Sequence, residues 1–167
     1  MNLDLYPIGW LHSAFSVIAL VAGATVLVRP KGTPVHRLRG HIYVTALVLT
    51  CMTAFAIYRQ NMFWFPHWSS IVTLAVVAIG FAAVRFQLPR RGWIHFHLTC
   101  MVASYYLLVA GGVNEVFVRV DVLRRMIPNF FNSQLVGMTH FAVMVLFAVL
   151  IAYFNAALRW RRPRPAQ

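Results

Sequence analysis

The sequence predicts an all-α, polytopic transmembrane helical bundle of five spans with the N-terminus outside and the C-terminus cytoplasmic. Two observations predict it: the chain contains five long apolar runs, and its basic residues follow the parity of the connections between them. Hydrophobic residues make up 60% of the 167-residue chain and the mean hydropathy is +0.70, which leaves too little polar surface to cover a soluble domain of this size. Eleven of the fifteen Lys and Arg residues lie in three stretches: Arg29, Lys31, Arg37 and Arg39; Arg85, Arg90 and Arg91; and a tail with Arg159, Arg161, Arg162 and Arg164. Arg59, Arg119, Arg124 and Arg125 lie on the other side, together with all three acids, Asp4, Glu115 and Asp121. Cytoplasmic loops carry the Lys/Arg excess, so the rich side is inside.

A bilayer core roughly 30 Å thick is crossed by about 20 apolar residues in a helix. The first such run, about Ile8 to Val28, is expected to stay in the mature protein, because no Lys or Arg precedes it and Asp4 stands where a signal peptide would be positive. Its Ala19, Gly23 and Ala24 are small enough to let a second helix approach closely. The second run is about His41 to Tyr58 and the third about His67 to Phe86. The fourth, about Trp93 to Val113, contains Ala103, Gly111 and Gly112, and the glycine pair is expected to fray its outer end. The fifth is about Met138 to Leu158. Backbone polar groups in hydrocarbon must be satisfied inside their own segment, so each run is a helix.

Residues 114–137 make a connection longer than the roughly 2 to 8 residues usual between helices. Val116, Phe117, Val120, Leu123, Met126 and Ile127 are apolar, while Glu115 and Arg119, then Asp121 and Arg125, fall four apart as helical ion pairs do. Pro128 ends the pattern. The expectation is a short amphipathic helix on the outer membrane surface, within a single transmembrane domain over residues 1–158 that is followed by a basic cytoplasmic tail at 159–167. The formal net charge of +12 follows the loops rather than one face of a soluble module, which excludes nucleic acid as a partner and favours anionic lipid headgroups. Cys51 and Cys100 lie inside spans at depths that differ by about 4 to 5 Å, and two such thiols are read as apolar fillers.

Ionisable groups within spans are functional hypotheses by default, and here they are histidines. His12, His67 and His140 lie seventeen, eighteen and nineteen residues from Arg29, Arg85 and Arg159, all about 25 to 29 Å above the inner boundary. If their helices adjoin, three imidazoles suit Zn, Cu or Fe, with Glu115 or Asn114 as a further ligand or a second-shell acceptor. The alternative is that they are interfacial anchors like Trp10, Trp64 and Trp68.

The inner set is His36, His41, His95 and His97. His97, Met101, Ser104 and Tyr105 share one face by helical spacing, while Tyr43 follows His36 by seven. His95 and His97, two apart, point in nearly opposite directions. Imidazoles from facing helices at one depth are what a bis-histidine haem requires; His41 pairs by depth with His95 or His97 better than His36 does. Nearby arginines would neutralise the propionates. The alternative is that His36 and His41 bind lipid phosphate or cap the loop.

His36-Arg37-x-x-Gly40-x-x-Tyr43 and His97-x-x-x-Met101-x-x-Ser104-Tyr105 resemble the motifs of a family of predicted bacterial multi-pass membrane proteins known as a domain of unknown function. The likeness covers roughly the second to fourth spans. It departs from the family's pattern at Cys100, where Trp is usual, and at Glu115, where a basic residue is expected. The resemblance implies residence in a membrane and an inner His/Tyr site, and no reaction; the localisation expected is the bacterial inner membrane. A looser likeness is to b-type membrane cytochromes, which place histidines on facing helices; no span here carries an inner and an outer histidine together, so one haem is expected rather than two.

Hydrolysis is disfavoured because Ser16 near His12 and Ser70 near His67 lack a carboxylate orienter. Transport is disfavoured because no charge stands at mid-bilayer. Three readings follow: a haem b electron-transfer protein with Tyr43 or Tyr105 near a quinone or cofactor edge; a Zn or Cu site protein or metal-dependent enzyme built on His12, His67, His140 and Glu115; and a non-catalytic subunit or assembly factor with a membrane protein partner and no cofactor. The orientation is testable directly. A C-terminal fluorescent reporter that folds only in the cytoplasm should light up, and a dark C-terminal fusion would reverse the topology.

Overall fold

The computed structural model describes residues 7–57, 65–127, 129 and 133–160. Asp4, Tyr58, Arg59, Trp64, Pro128 and the tail arginines 161, 162 and 164 lie outside the described residues. Among the described residues six helices follow one another: α1 (Pro7–Val28), α2 (Pro34–Ala56), α3 (Phe65–Phe86), α4 (Trp93–Arg119), α5 (Asp121–Met126) and α6 (Gln134–Trp160). Every one except α5 is long and apolar enough to cross a membrane, and no strand occurs among the described residues. Large apolar side chains such as Val17, Val21, Ile79, Phe81, Phe141 and Val149 are exposed, as lipid-facing residues are.

Local signals set the helix ends. Lys31 reaches back to the last carbonyls of α1, donating to Val26 and Leu27 at 2.6 Å each and to Arg29 at 3.2 Å, which places a cation where the helix dipole favours one. Partial burial lowers the pKa of its ammonium from the ordinary lysine value. Gly32 takes a positive φ of 80° between the two helices. Thr33 then caps α2: its hydroxyl oxygen accepts the His36 amide at 3.1 Å, and Pro34 opens the helix. The second helix therefore begins seven residues before His41, so Arg37 and Arg39 ride on its first turns instead of a loop. At the far end of α3, Gln87 adopts a left-handed φ of 53° and the Leu88 amide returns to Ala83 O at 3.2 Å, a Schellman closure.

The chain forms two compact units, Met1–Val77 and Ala78–Gln167, with α3 contributing to each. In the first unit α1 packs along α2. Ala19, Ala22 and Gly23 are the buried residues of α1, while Tyr43, Ala46, Leu47, Thr50 and Cys51 form the buried stripe of α2. Small residues on one side let the backbones approach, which matters where lipid supplies no hydrophobic drive between helices. Ala24, expected on this seam, is exposed, because it lies about 100° of helix rotation beyond Gly23.

In the second unit α4 packs against α6 and α5. The expected fraying at Gly111 and Gly112 does not occur; α4 continues through both to Arg119. The Glu115–Arg119 ion pair consequently lies within α4, and the separate helix in this connection is only the six residues of α5. Asp121 pairs with Arg124 at 3.3 Å instead of the expected Arg125. Phe117, Ile127 and Val136, with Val113 and Leu123 against them, make a small apolar core that gathers the end of α4, α5 and the start of α6. Side-chain hydroxyls throughout donate to carbonyls three or four residues back, as at Ser13, Thr50, Thr73 and Thr139.

Removing the α2 cap should be felt locally. Thr33→Ala should cost about 1 kcal/mol at that helix start, seen as roughly fivefold faster hydrogen exchange at the His36 amide; unchanged exchange would show that the cap is not what holds this turn.

Candidate functional site

Polar hydrogens inside spans need acceptors, and the histidines find them through Nδ1. His41 Nδ1 lies 2.7 Å from Arg37 O, His140 Nδ1 2.9 Å from Val136 O, His97 Nδ1 2.9 Å from Gly80 O, and His12 Nδ1 3.0 Å from Thr50 O. A carbonyl oxygen only accepts, so Nδ1 carries the proton in each. In a neutral ring the lone pair is then on Nε2, the tautomer of a histidine that ligates a metal through Nε2 while its other nitrogen is held by the protein.

His97 has the most constrained setting. It lies one turn into α4, and its acceptor is on α3. The contact depends on Gly80 being glycine: a Cβ there would lie 2.6 Å from Met101 Cε and 2.7 Å from Cys100 Cβ. His97, Cys100 and Met101, on the stretch of α4 that carries the second motif, thus meet α3 at a close backbone approach. Ser104 is fully buried and donates to Met101 O at 2.9 Å. Tyr105, expected on the same face, turns instead toward α6 and rests on Phe147 at 5.8 Å between ring centroids; Tyr106 does the same at 5.7 Å. Eight residues of helix leave Tyr105 about 80° round from His97, enough to change neighbours.

His95 faces away from His97, toward α6, where its Nδ1 lies 2.7 Å from Asn155 Oδ1. Tyr43 is buried on α2, His36 is half-buried and His41 exposed on the same helix.

The first unit brings together two of the expected outer residues. His12 of α1 donates to Thr50 O and to Thr53 Oγ1, each at 3.0 Å, while His67 of α3 is 1% exposed and stacks on Phe55 of α2 at 6.4 Å. Both rings therefore bracket the last two turns of α2. Ser70, beside His67, donates to Pro66 O at 2.9 Å, and Ser16 donates to His12 O at 2.7 Å; neither hydroxyl proton is directed at an imidazole, as a nucleophile's would be. His140 turns back onto its own helix, and Glu115 is paired with Arg119. Among the described residues no group of three or more His, Cys, Asp and Glu is placed to hold a metal ion.

Gly80, Thr99 and Asn155 are the site residues that sequence reasoning passed over. A lone glycine amid the bulky apolar residues of α3, and an Asn in the last turns of an apolar helix, were the available signals.

The model of one family, described as predicted membrane protein (DUF2306), matches residues 9–154. The match runs from α1 into α6, beyond the stretch on which the resemblance rests. No curated protein and no solved structure matches the chain.

Filling the glycine contact should be costly. Gly80→Ala should destabilise the protein by about 1 to 3 kcal/mol through overpacking, read as a lower thermal midpoint in detergent; adding Met101→Ala and Cys100→Gly should recover part of the loss. An unchanged midpoint in the single variant would contradict the close approach.

Proposed function

We propose that this chain, which belongs to the DUF2306 family of predicted membrane proteins, is an electron-transfer protein of the bacterial inner membrane that holds one b-type haem through His97. The observation that carries the reading is the Nδ1–H bond from His97 to Gly80 O. It fixes the ring against a packed helix contact, leaves the lone pair of a neutral ring on Nε2, and Nε2 has no hydrogen-bond partner among the described residues. Those are the properties of a histidine that would hold haem iron.

Bound haem supplies one-electron chemistry, tuned by its axial ligands and by burial. His97 contributes a donor nitrogen whose ring is oriented by the backbone acceptor behind it. His41, the second ligand in the reading from sequence, likewise has its Nδ1 occupied, by Arg37 O. Arg85, Arg90 and Arg91 precede α4 and supply positive charge for propionates. Tyr43 and Tyr105, the residues read from sequence as lying near a quinone or cofactor edge, are within helices long and apolar enough to cross a membrane. The zinc or copper reading has less behind it, since Glu115 is already engaged by Arg119. A subunit or assembly factor without a cofactor is the alternative that a colourless protein favours.

The test is the dithionite-reduced minus air-oxidised spectrum of detergent-purified protein from cells supplied with haem. Wild type should show a Soret band with α and β bands that sharpen on reduction; His97→Ala should lose them while still inserting, and His140→Ala should keep them. A spectrum retained in His97→Ala would remove His97 as ligand, and a colourless wild type would remove haem.

A further inference from the structure

We propose that His95, Thr99 and Asn155 form a second site, distinct from His97, which binds a lipid-soluble hydroquinone by accepting its hydroxyl proton in a hydrogen bond at His95 Nε2. The inference comes from following hydrogen-bond polarity through the cluster. Ile151 O can only accept, and Asn155 lies 2.9 Å from it through Nδ2, so the amide is oriented with Nδ2 toward its own helix. Thr99 spends its hydroxyl proton on His95 O at 2.8 Å; its oxygen is therefore left to accept from Asn155 Nδ2 at 3.2 Å. Both donors of Asn155 are then committed, and Oδ1 is the atom that meets His95 Nδ1 at 2.7 Å. An amide oxygen accepts, so Nδ1 carries the proton and the lone pair of the neutral ring is on Nε2.

Four residues on two helices thus close every polarity but one. His95 is half-buried, and Nε2 has no hydrogen-bond partner among the described residues. Both helices belong to the apolar, membrane-crossing set, and Ile94, Phe96 and Tyr153 beside the cluster are exposed. A ligand that dissolves in lipid and presents an O–H donor would complete the set. A hydroquinone meets both conditions. Its oxidised quinone does not, because carbonyl oxygens facing a lone pair gain no hydrogen bond. The same donor chemistry exists in a glycerol headgroup, so the two sources need separating.

The experiment uses the full chain in phosphatidylcholine nanodiscs with ¹⁵N-labelled histidine, following the His95 Nε2 resonance during titration with decylhydroquinone, with the corresponding quinone, and with phosphatidylglycerol. A saturable shift with the hydroquinone, at roughly tenfold higher affinity than the quinone as one hydrogen bond supplies, is the expected result. Asn155→Leu should erase that preference, and His97→Ala should leave it intact, which separates this site from the haem reading. Equal response to quinone and hydroquinone, a protonated Nε2 in the unliganded protein, or saturation by phosphatidylglycerol in place of the hydroquinone would each overturn the assignment; the wild-type titration decides even if Asn155→Leu does not assemble.

Discussion

A polar hydrogen carried into hydrocarbon finds no water, and the cost of leaving it unmatched is several kcal/mol. This constraint shapes the local structure at almost every polar side chain of the spans. Serine and threonine hydroxyls return to carbonyls of their own helix, as at Ser16, Thr25 and Thr99. Imidazoles are larger and can reach further. His41 and His140 stay on their own helix, but His12, His95 and His97 cross to a neighbour and tie two helices together. Satisfying the Nδ1 proton in this way has a chemical by-product: it selects which nitrogen of a neutral ring keeps its lone pair.

The two histidines near the start of α4 show how much that selection depends on neighbours. They differ by two positions and so by about 200° around the helix. His97 meets a glycine backbone at a packed crossing, which offers a rigid acceptor and no side chain. His95 meets an amide that is itself oriented by a carbonyl and a hydroxyl. Rings with the same tautomer thereby present Nε2 in different directions and in different company, one suited to a ligand bond and the other to a hydroxyl donor.

Much of the architecture was legible in the sequence. Five apolar runs and the His/Arg and His/Met motifs led to the helical class and to the family, and the (i, i+4) spacing of Glu115 and Arg119 anticipated their pair. The start of α2 was misjudged because Arg37 and Arg39 looked like loop residues, although the Thr33-Pro34 cap was in plain view. Gly111 and Gly112 looked like a helix end, yet Phe117 packs into the core with Ile127 and Val136 and holds α4 helical past them; tertiary contacts outweigh the glycine cost of about 1 kcal/mol each. The partners of the histidines were not legible at all. Spacing along one helix says which direction a ring points, while Gly80 lies 17 residues from His97 and Asn155 lies 60 from His95, and no periodicity links such positions.

The property on which both proposed sites depend is the proton on Nδ1. It is measured most directly by ¹⁵N spectroscopy of histidine-labelled protein in lipid at neutral pH, with single His→Gln variants for assignment. His12, His41, His95, His97 and His140 should each show a protonated Nδ1, and His95 and His97 should show a bare, unprotonated Nε2. Rings at positions 95 and 97 that instead carry the proton on Nε2 would contradict the hydrogen bonds to Asn155 and Gly80 and remove the basis of both sites.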